Sequence, residues 1–145
     1  MSWVLGAVIA LVVLVATMAV AGSRLPMKHV AASRARYGAE PQLVFDAARS
    51  EIDASDQKVD VVESEPPRRI VTRIPPGGPF GGTWTCEIAT VDGGTTLTIT
   101  EHGEVYNPMF RFLSRFVFGH HGTQEQFLRA VGTRLHETTI PDRLP

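Results

Sequence analysis

A chain of 145 residues with 43% hydrophobic residues and a formal charge of −1 has room for one small domain and one accessory segment. Its 14 Lys and Arg nearly balance 15 Asp and Glu, with no dense cluster outside the segment that follows the N-terminal apolar run, so nucleic acid, which needs a concentrated basic face, is disfavoured. The single Cys86 excludes an intramolecular disulfide and a Cys-rich zinc module.

Trp3 to Gly22, WVLGAVIALVVLVATMAVAG, carries no charge and one hydroxyl, Thr17. At 1.5 Å rise per residue, roughly 20 such residues span a hydrocarbon core of about 30 Å, and a helix satisfies its own backbone groups there. A transmembrane anchor over 3–22 and a short linker over 23–26 are expected. Only Met1 and Ser2 precede the span, whereas Arg24, Lys28, Arg34 and Arg36 follow closely, and the positive-inside tendency then places the C-terminal domain in the cytoplasm. The alternative is a cleaved signal, since Ala19-Val20-Ala21 resembles a cleavage site, which would make the protein secreted. A signal has a positive n-region and a shorter apolar core, so the single-pass membrane reading is favoured.

MKHVAASRARY, from Met27, reads as a strand, punctuated by Gly38. Pro41 suits the first position of a short helix, PQLVFDAARS, with Leu43, Val44 and Ala47 or Ala48 on its apolar side. SEIDASDQ, residues 50 to 57, reads as a polar turn. KVDVVE and RIVTRI alternate about an EPPR turn and form a hairpin: Val59 and Val61 oppose Lys58 and Asp60, and Ile70, Thr72 and Ile74 oppose Val71 and Arg73. PPGGPFGG is a loop without the Lys of a phosphate loop, and it enters a strand rather than a helix. In the next hairpin Trp84, Cys86 and Ile88 share one face and Thr83, Thr85 and Glu87 the other. Asp92-Gly93 supplies the positive φ angles of a tight turn. Leu97 and Ile99 then oppose Thr96, Thr98 and Thr100, which predicts a sheet with one buried and one wet face.

Asn107 is a good N-cap and Pro108 a good first helical residue. At 100° per residue from Phe110, the side chains Phe112, Leu113, Phe116, Val117, Phe127, Leu128, Val131 and Leu135 fall on one apolar side. Arg111, Arg115, Glu125, Gln126 and Arg129 fall opposite. The phase runs unbroken across Gly119 and Gly122, which predicts one long helix. Each glycine, Gly132 included, costs about 1 kcal/mol against alanine, less than the roughly 1.5–3 kcal/mol returned by each buried apolar side chain. The expected fold is α+β: an antiparallel sheet with a long C-terminal helix across its apolar face, preceded by a transmembrane helix.

The order of these elements, with PPRRIVTRI, PFGGTWTCEI and GGTTLTITEHGEVYNPMFRF before a terminal amphipathic helix, resembles the SRPBCC superfamily of START-like or Bet v 1-like helix-grip domains, often labelled polyketide cyclase/dehydrase. The match runs from about Ala32 to Glu137, and Glu65 to Phe118 carries most of its specificity. The resemblance implies a curved sheet gripping the last helix over a hydrophobic cavity, small apolar or lipid-like ligands, and no single set of catalytic residues. Between Ser50 and Lys58 one polar connector stands where the family has a second short helix and two strands. The expected domain, 27–137, is therefore an incomplete helix grip shortened near 50–58, with an open groove and an exposed edge strand at Lys58 to Glu63 whose charges discourage pairing. Residues 138–145 are expected as a tail.

Glu101, His102 and Glu104, in EHGE, offer oxygen and nitrogen donors. They read as solvated charges at a sheet-to-helix junction, since no HExxH-type spacing supports a metal, and acidic groups near a helix N-terminus favour its dipole. His120 falls in the middle of the apolar face and His121 at its margin. His120 is either a ligand-orienting or proton-donating group or, as ordinary burial of His favours, a structural one. His29, His102 and His136 show no ligand spacing. Cys86 has no activating base nearby and reads as an inert buried thiol. Phe118 points away from the apolar arc. The expected function is a membrane-anchored START-like module binding a hydrophobic small molecule or lipid. Its candidate groove is lined by Trp84, Ile88, Leu97, Ile99, Phe112, Phe116, His120 and Phe127, with no catalytic residue, metal or cofactor assigned. The bilayer is the expected partner, with self-association through the exposed sheet edge as a further one. A polyketide cyclase/dehydratase-type enzyme using His120 or Glu101, and a degenerate module completed by a partner chain, are the alternatives.

Overall fold

The computed structural model describes residues 2–145, apart from the side chain of Phe118, so the expected outward direction of that side chain lies outside the described residues. Chain order is α1 (Ser2–Ser23), β1 (Lys28–Tyr37), α2 (Pro41–Asp53), β2 (Asp60–Glu65), β3 (Arg69–Arg73), β4 (Phe80–Val91), β5 (Gly94–Val105), α3 (Pro108–Leu113), a π-type turn (Ser114–Phe118), α4 (Gly122–Arg134) and β6 (Asp142–Leu144). All strand pairs are antiparallel, in the order β2-β3-β4-β5-β1-β6. The class is α+β, as the periodicities imply.

Period-2 alternation assigns one face of the sheet to the core. Across the central strands Ser33, Ile99, Cys86 and Ile70 stand in one row, and Ala35, Leu97 and Ile88 in the next. These rows pack with Val44, Phe45, Ala48 and Ile52 of α2 and with Leu128 and Val131 of α4. The buried Tyr37 donates its hydroxyl to the Leu128 carbonyl at 2.7 Å, tying β1 to α4. On the wet face Arg69 bridges Glu63 at 2.8 Å and Glu87 at 3.2 Å, so an edge charge of β2 is spent inside the sheet. β2 is one edge of the sheet.

Six local expectations differ from the structure. PPGGPFGG is a loop only as far as Pro79, because β4 begins at Phe80, which pairs with Val105 of β5. The polar stretch after Ser50 begins as helix: α2 continues to Asp53 because Ile52, one turn beyond Ala48, reaches the core. The positive φ angles of the β4–β5 turn lie at Gly93 and Gly94 rather than at Asp92. EHGE is no junction: β5 runs on to Val105 and pairs with both β1 and β4 over these residues. The expected tail returns as β6 along β1, opposite Ala32 to Arg34. The long C-terminal helix is broken. Asn107 caps α3, accepting from the Met109 and Phe110 amides. The helix then widens into the π-type turn, and Gly119 stops it at φ 71°, ψ 167°, a conformation open to glycine. The i→i+5 turn shifts the helical phase, so Phe116 and Val117, placed on the apolar side by an unbroken 100° step, are 64% and 61% exposed.

Among the described residues, α1 is the one helix long and apolar enough to cross a membrane; a signal sequence meets the same criterion. It ends against α3. A Cβ on Gly22 would collide with the Pro108 backbone, so glycine is what lets the two helices meet there.

Candidate functional site

The break between α3 and α4 decides what covers the sheet. Beyond the closed rows, the helix-facing side of β1, β5, β4 and β3 presents Ala31, Glu101, Trp84 and Thr72, and then His29, Gly103 and Gly82. A groove lies over these residues in two adjoining parts. The larger, about 370 Å³, has Ile52, Val59, Ile74, Trp84, Phe127 and Ala130 as its apolar wall, with polar groups that include Glu51, Asp56 and Gln126 on its rim. Trp84 meets Phe127 edge-on, with centroids 5.9 Å apart at 89°. The smaller, about 230 Å³, is more polar, with His29, Glu101, Ser114 and His120 on its wall. Gln57, Ile74, Trp84 and Thr123 line both parts.

The polar end is built around a glycine. His29 lies across Gly103 of the neighbouring strand, and a Cβ on Gly103 would run into the His29 ring and come within 2.8 Å of the Glu101 carboxylate. The missing side chain lets His29 Nε2 reach Glu101 Oε1 at 3.1 Å, a hydrogen bond whose donor and acceptor depend on the tautomer. His120, carried just past the helix break, stacks on His29 with centroids 4.0 Å apart and planes 21° apart. Burial, and secondarily the neighbouring His29, holds the His120 pKa below its ordinary 6.5. His120 is thus a neutral imidazole at physiological pH, able to donate at one ring nitrogen and accept at the other. His121 bonds instead to Ser33 Oγ at 3.2 Å. Glu104 is held below the usual carboxylate range by the Tyr106 hydroxyl and by Lys28.

The eight candidate groove residues separate into three places. Trp84, Phe127 and His120 line the open groove. Ile88, Leu97 and Ile99 belong to the closed core beneath it. Phe112 and Phe116 pack on each other in a tilted pair, centroids 4.9 Å apart, on the α3 and π-turn segment, and line neither part of the groove. The groove also recruits His29, Ser114 and Thr123, which spacing did not mark, and Glu101, which the sequence offered as an acid or base of the enzyme alternative. One signal for His29 was present, because it shares the period-2 parity of Ala31, Ser33, Ala35 and Tyr37 on the core face. Among the described residues no group of three or more His, Cys, Asp or Glu is arranged to hold a metal ion. Cys86 is buried and its thiol is pushed up to about 12 by desolvation alone. Gln124 is fully buried on α4, donating to the Ala31 carbonyl at 3.0 Å just beyond the end of the β6 pairing.

No family model and no curated protein matches the chain. Solved structures of similar fold include the crystal structure of Ara h 8.0201, with 10% identity, a TM-score of 0.47, and coverage of 76% of this chain and 99% of that one. Another is CalU16 from Micromonospora echinospora, with 18% identity, a TM-score of 0.43, and coverage of 74% of this chain and 91% of that one. The architecture and groove described above stand on the strand pairing and packing of this chain itself.

Proposed function

We propose that this chain is a membrane-anchored module that holds a hydrophobic or amphipathic small molecule, such as a lipid, between its sheet and α4. The observation that carries the reading is the two-part groove. A largely apolar part of about 370 Å³ adjoins a polar part of about 230 Å³ across Gln57, Ile74, Trp84 and Thr123, and the larger part alone is within the range of small-molecule pockets, about 300–1,000 Å³. An apolar body would lie against Trp84 and Phe127, with its polar group at His120. The apolar α1 supplies the tether. Only a few residues separate Ser23 from Lys28, and at about 3.3 Å each they hold the groove close to the headgroups.

Extraction of the purified full chain followed by mass spectrometry tests this. A stoichiometric apolar species is expected, displaced by a fluorescent fatty acid whose signal responds to Trp84. Repeated recovery of an empty protein that takes up no such probe overturns the reading. A second reading, proton transfer on a bound ligand, is favoured by one observation: the hydrogen-bonded Glu101–His29 pair stacked on a neutral His120. A carboxylate that orients an imidazole is a general-base arrangement. Turnover of a bound ligand in the wild type, abolished in Glu101→Gln with binding retained, would separate an enzyme from a carrier.

A further inference from the structure

On the far side of the His29–His120 stack lies a third cavity, about 220 Å³, which the groove does not use. Leu25 and Pro26 of the linker form one wall; Arg111, Ser114 and Arg115 of α3 and the π-type turn form another. His29 and His120 line this cleft as well as the groove, as do Val105 and Ser114, so the stacked rings form part of the wall between the two. No carboxylate lines the cleft among the described residues. Neither Arg111 nor Arg115 forms an ion pair among the described residues.

Arg111 is fixed without being neutralised. Its Nη1 donates to the Leu25 carbonyl at 3.0 Å and its Nη2 to the Tyr106 carbonyl at 3.4 Å, while its Nε–H is buried with no acceptor. A buried donor left unpaired is a cost the fold carries unless something accepts from it. The guanidinium fork matches phosphate oxygens, and its positive charge is countered here only by carbonyl dipoles. Arg115, which is exposed, adds a second positive charge close to His120, and Ser114 adds a hydroxyl. The cleft sits where α1 ends, beside the contact of Gly22 with Pro108, and exposed Met27, Val30, Phe116 and Val117 lie on the neighbouring segments.

We infer that the cleft beside the linker after α1 is a phosphate-binding site, with Arg111 and Arg115 as its charged donors and a phospholipid headgroup as its ligand. The phosphate chemistry rests on the cleft alone; the lipid source rests on the anchoring proposed above.

The test uses the full chain in phosphate-free maltoside micelles, with three probes: phosphatidic acid, inorganic phosphate, and diacylglycerol as the phosphate-free control. The readouts are the imidazole ¹⁵N titration of His120 and lipid retention in native mass spectrometry. Phosphatidic acid is expected to raise the His120 pKa and to be retained, with diacylglycerol inert. Affinity is expected to fall about tenfold in Arg111→Gln and again in Arg115→Gln, the loss of one charge-assisted contact each. Among the described residues the exposed Arg115 side chain bonds to no main-chain group, so its variant keeps the fold if Arg111→Gln does not. An equal response to inorganic phosphate supports the site and assigns it a soluble ligand. No response to either phosphate probe, or a response unchanged in Arg115→Gln and Arg111→Gln, overturns the inference. Displacement of the groove's apolar probe is followed in the same samples, so failure of the cleft is distinguishable from failure of the groove.

Discussion

Gly103→Ala is the smallest perturbation that separates the polar end of the groove from the rest of the fold. Gly103 is not among the residues with positive φ, so alanine suits its backbone and the effect is one of space. The added methyl would overlap the His29 ring and stand 2.8 Å from Glu101 Oε1, both held by their own strands. His29 must swing off the sheet, breaking the 3.1 Å hydrogen bond to Glu101 and the stack on His120. Overpacking of this kind costs about 1–3 kcal/mol. The lost His29–Glu101 hydrogen bond adds little beyond this where the displaced groups face the open groove and exchange it for hydrogen bonds to water. For a domain of this size, 1 kcal/mol moves Tm by roughly 4 °C, so a drop of roughly 4–12 °C is expected in thermal denaturation. Loss of the nuclear Overhauser contacts between the His29 and His120 rings should accompany it. Gly122→Ala is the control, because nothing lies within 4 Å of its new methyl. If Gly103→Ala melts with the wild type and keeps the ring contacts, His29 does not owe its position to Gly103 and the account of the polar end fails.

His120 should titrate below 6.5 in the apo protein. Its depressed pKa means the unfolded chain takes up the proton first as pH falls, so this group's stability is full above pH 6.5 and is lost as pH falls through the folded pKa. Urea unfolding at pH 7.5 and 5 should show a drop that His120→Leu flattens; an equal drop in the variant refutes it. Cys86, pushed up to about 12 by burial, should resist a maleimide at pH 8 in the folded protein and react fully in guanidinium. Rapid labelling of the native state would contradict that burial. Leu128→Ala, at a fully buried position, should cost about 2–5 kcal/mol by chemical denaturation. Phe127→Ala, half-buried on the groove wall, should cost less yet release the apolar probe. The reverse order would place Phe127 in the core and Leu128 at the groove.

The strands were legible because their alternation is local. Trp84, Cys86 and Ile88 against Leu97 and Ile99 is a period-2 pattern on either side of a glycine turn, and packing honours it. The helix break was not legible from the hydrophobic phase. The 100° step from Phe110 to Leu135 stays continuous if each glycine is scored as a propensity cost of about 1 kcal/mol. The structure instead uses Gly119 for a backbone conformation, which no count of apolar residues weighs. The groove was half legible. Trp84 and Phe127 lie on the sheet and helix faces their spacing gave them, whereas His120 reaches the groove from the break between α3 and α4 rather than from a helix face. His29 and Glu101, however, are 72 residues apart in sequence, and only the β1–β5 register brings them together. That register depends on how far β5 extends, and reading EHGE as a junction ended the strand too early.

The His29–His120 partition gives the two proposed sites a shared wall, and substitutions at His120 distinguish a wall from a hydrogen-bonding group. His120→Leu keeps a side chain of comparable bulk between groove and cleft but removes both ring nitrogens. His120→Ala removes the bulk as well and thins the wall between cavities of about 230 and 220 Å³, leaving His29, Val105 and Ser114 between them. Each variant should cost about 1 kcal/mol or less, because His120 is only partly buried and accepts no protein hydrogen bond that would be orphaned. If the ring is a wall, exchange of the groove's apolar probe with the micelle should speed up in the alanine variant and stay near wild type in the leucine variant. If the ring holds the polar group of the ligand, both variants should lose affinity, and a ligand lacking that polar group should bind all three proteins alike. Stopped-flow release of the probe, read through Trp84 quenching, separates the two roles. Equal release from wild type, alanine and leucine variants would remove His120 from both.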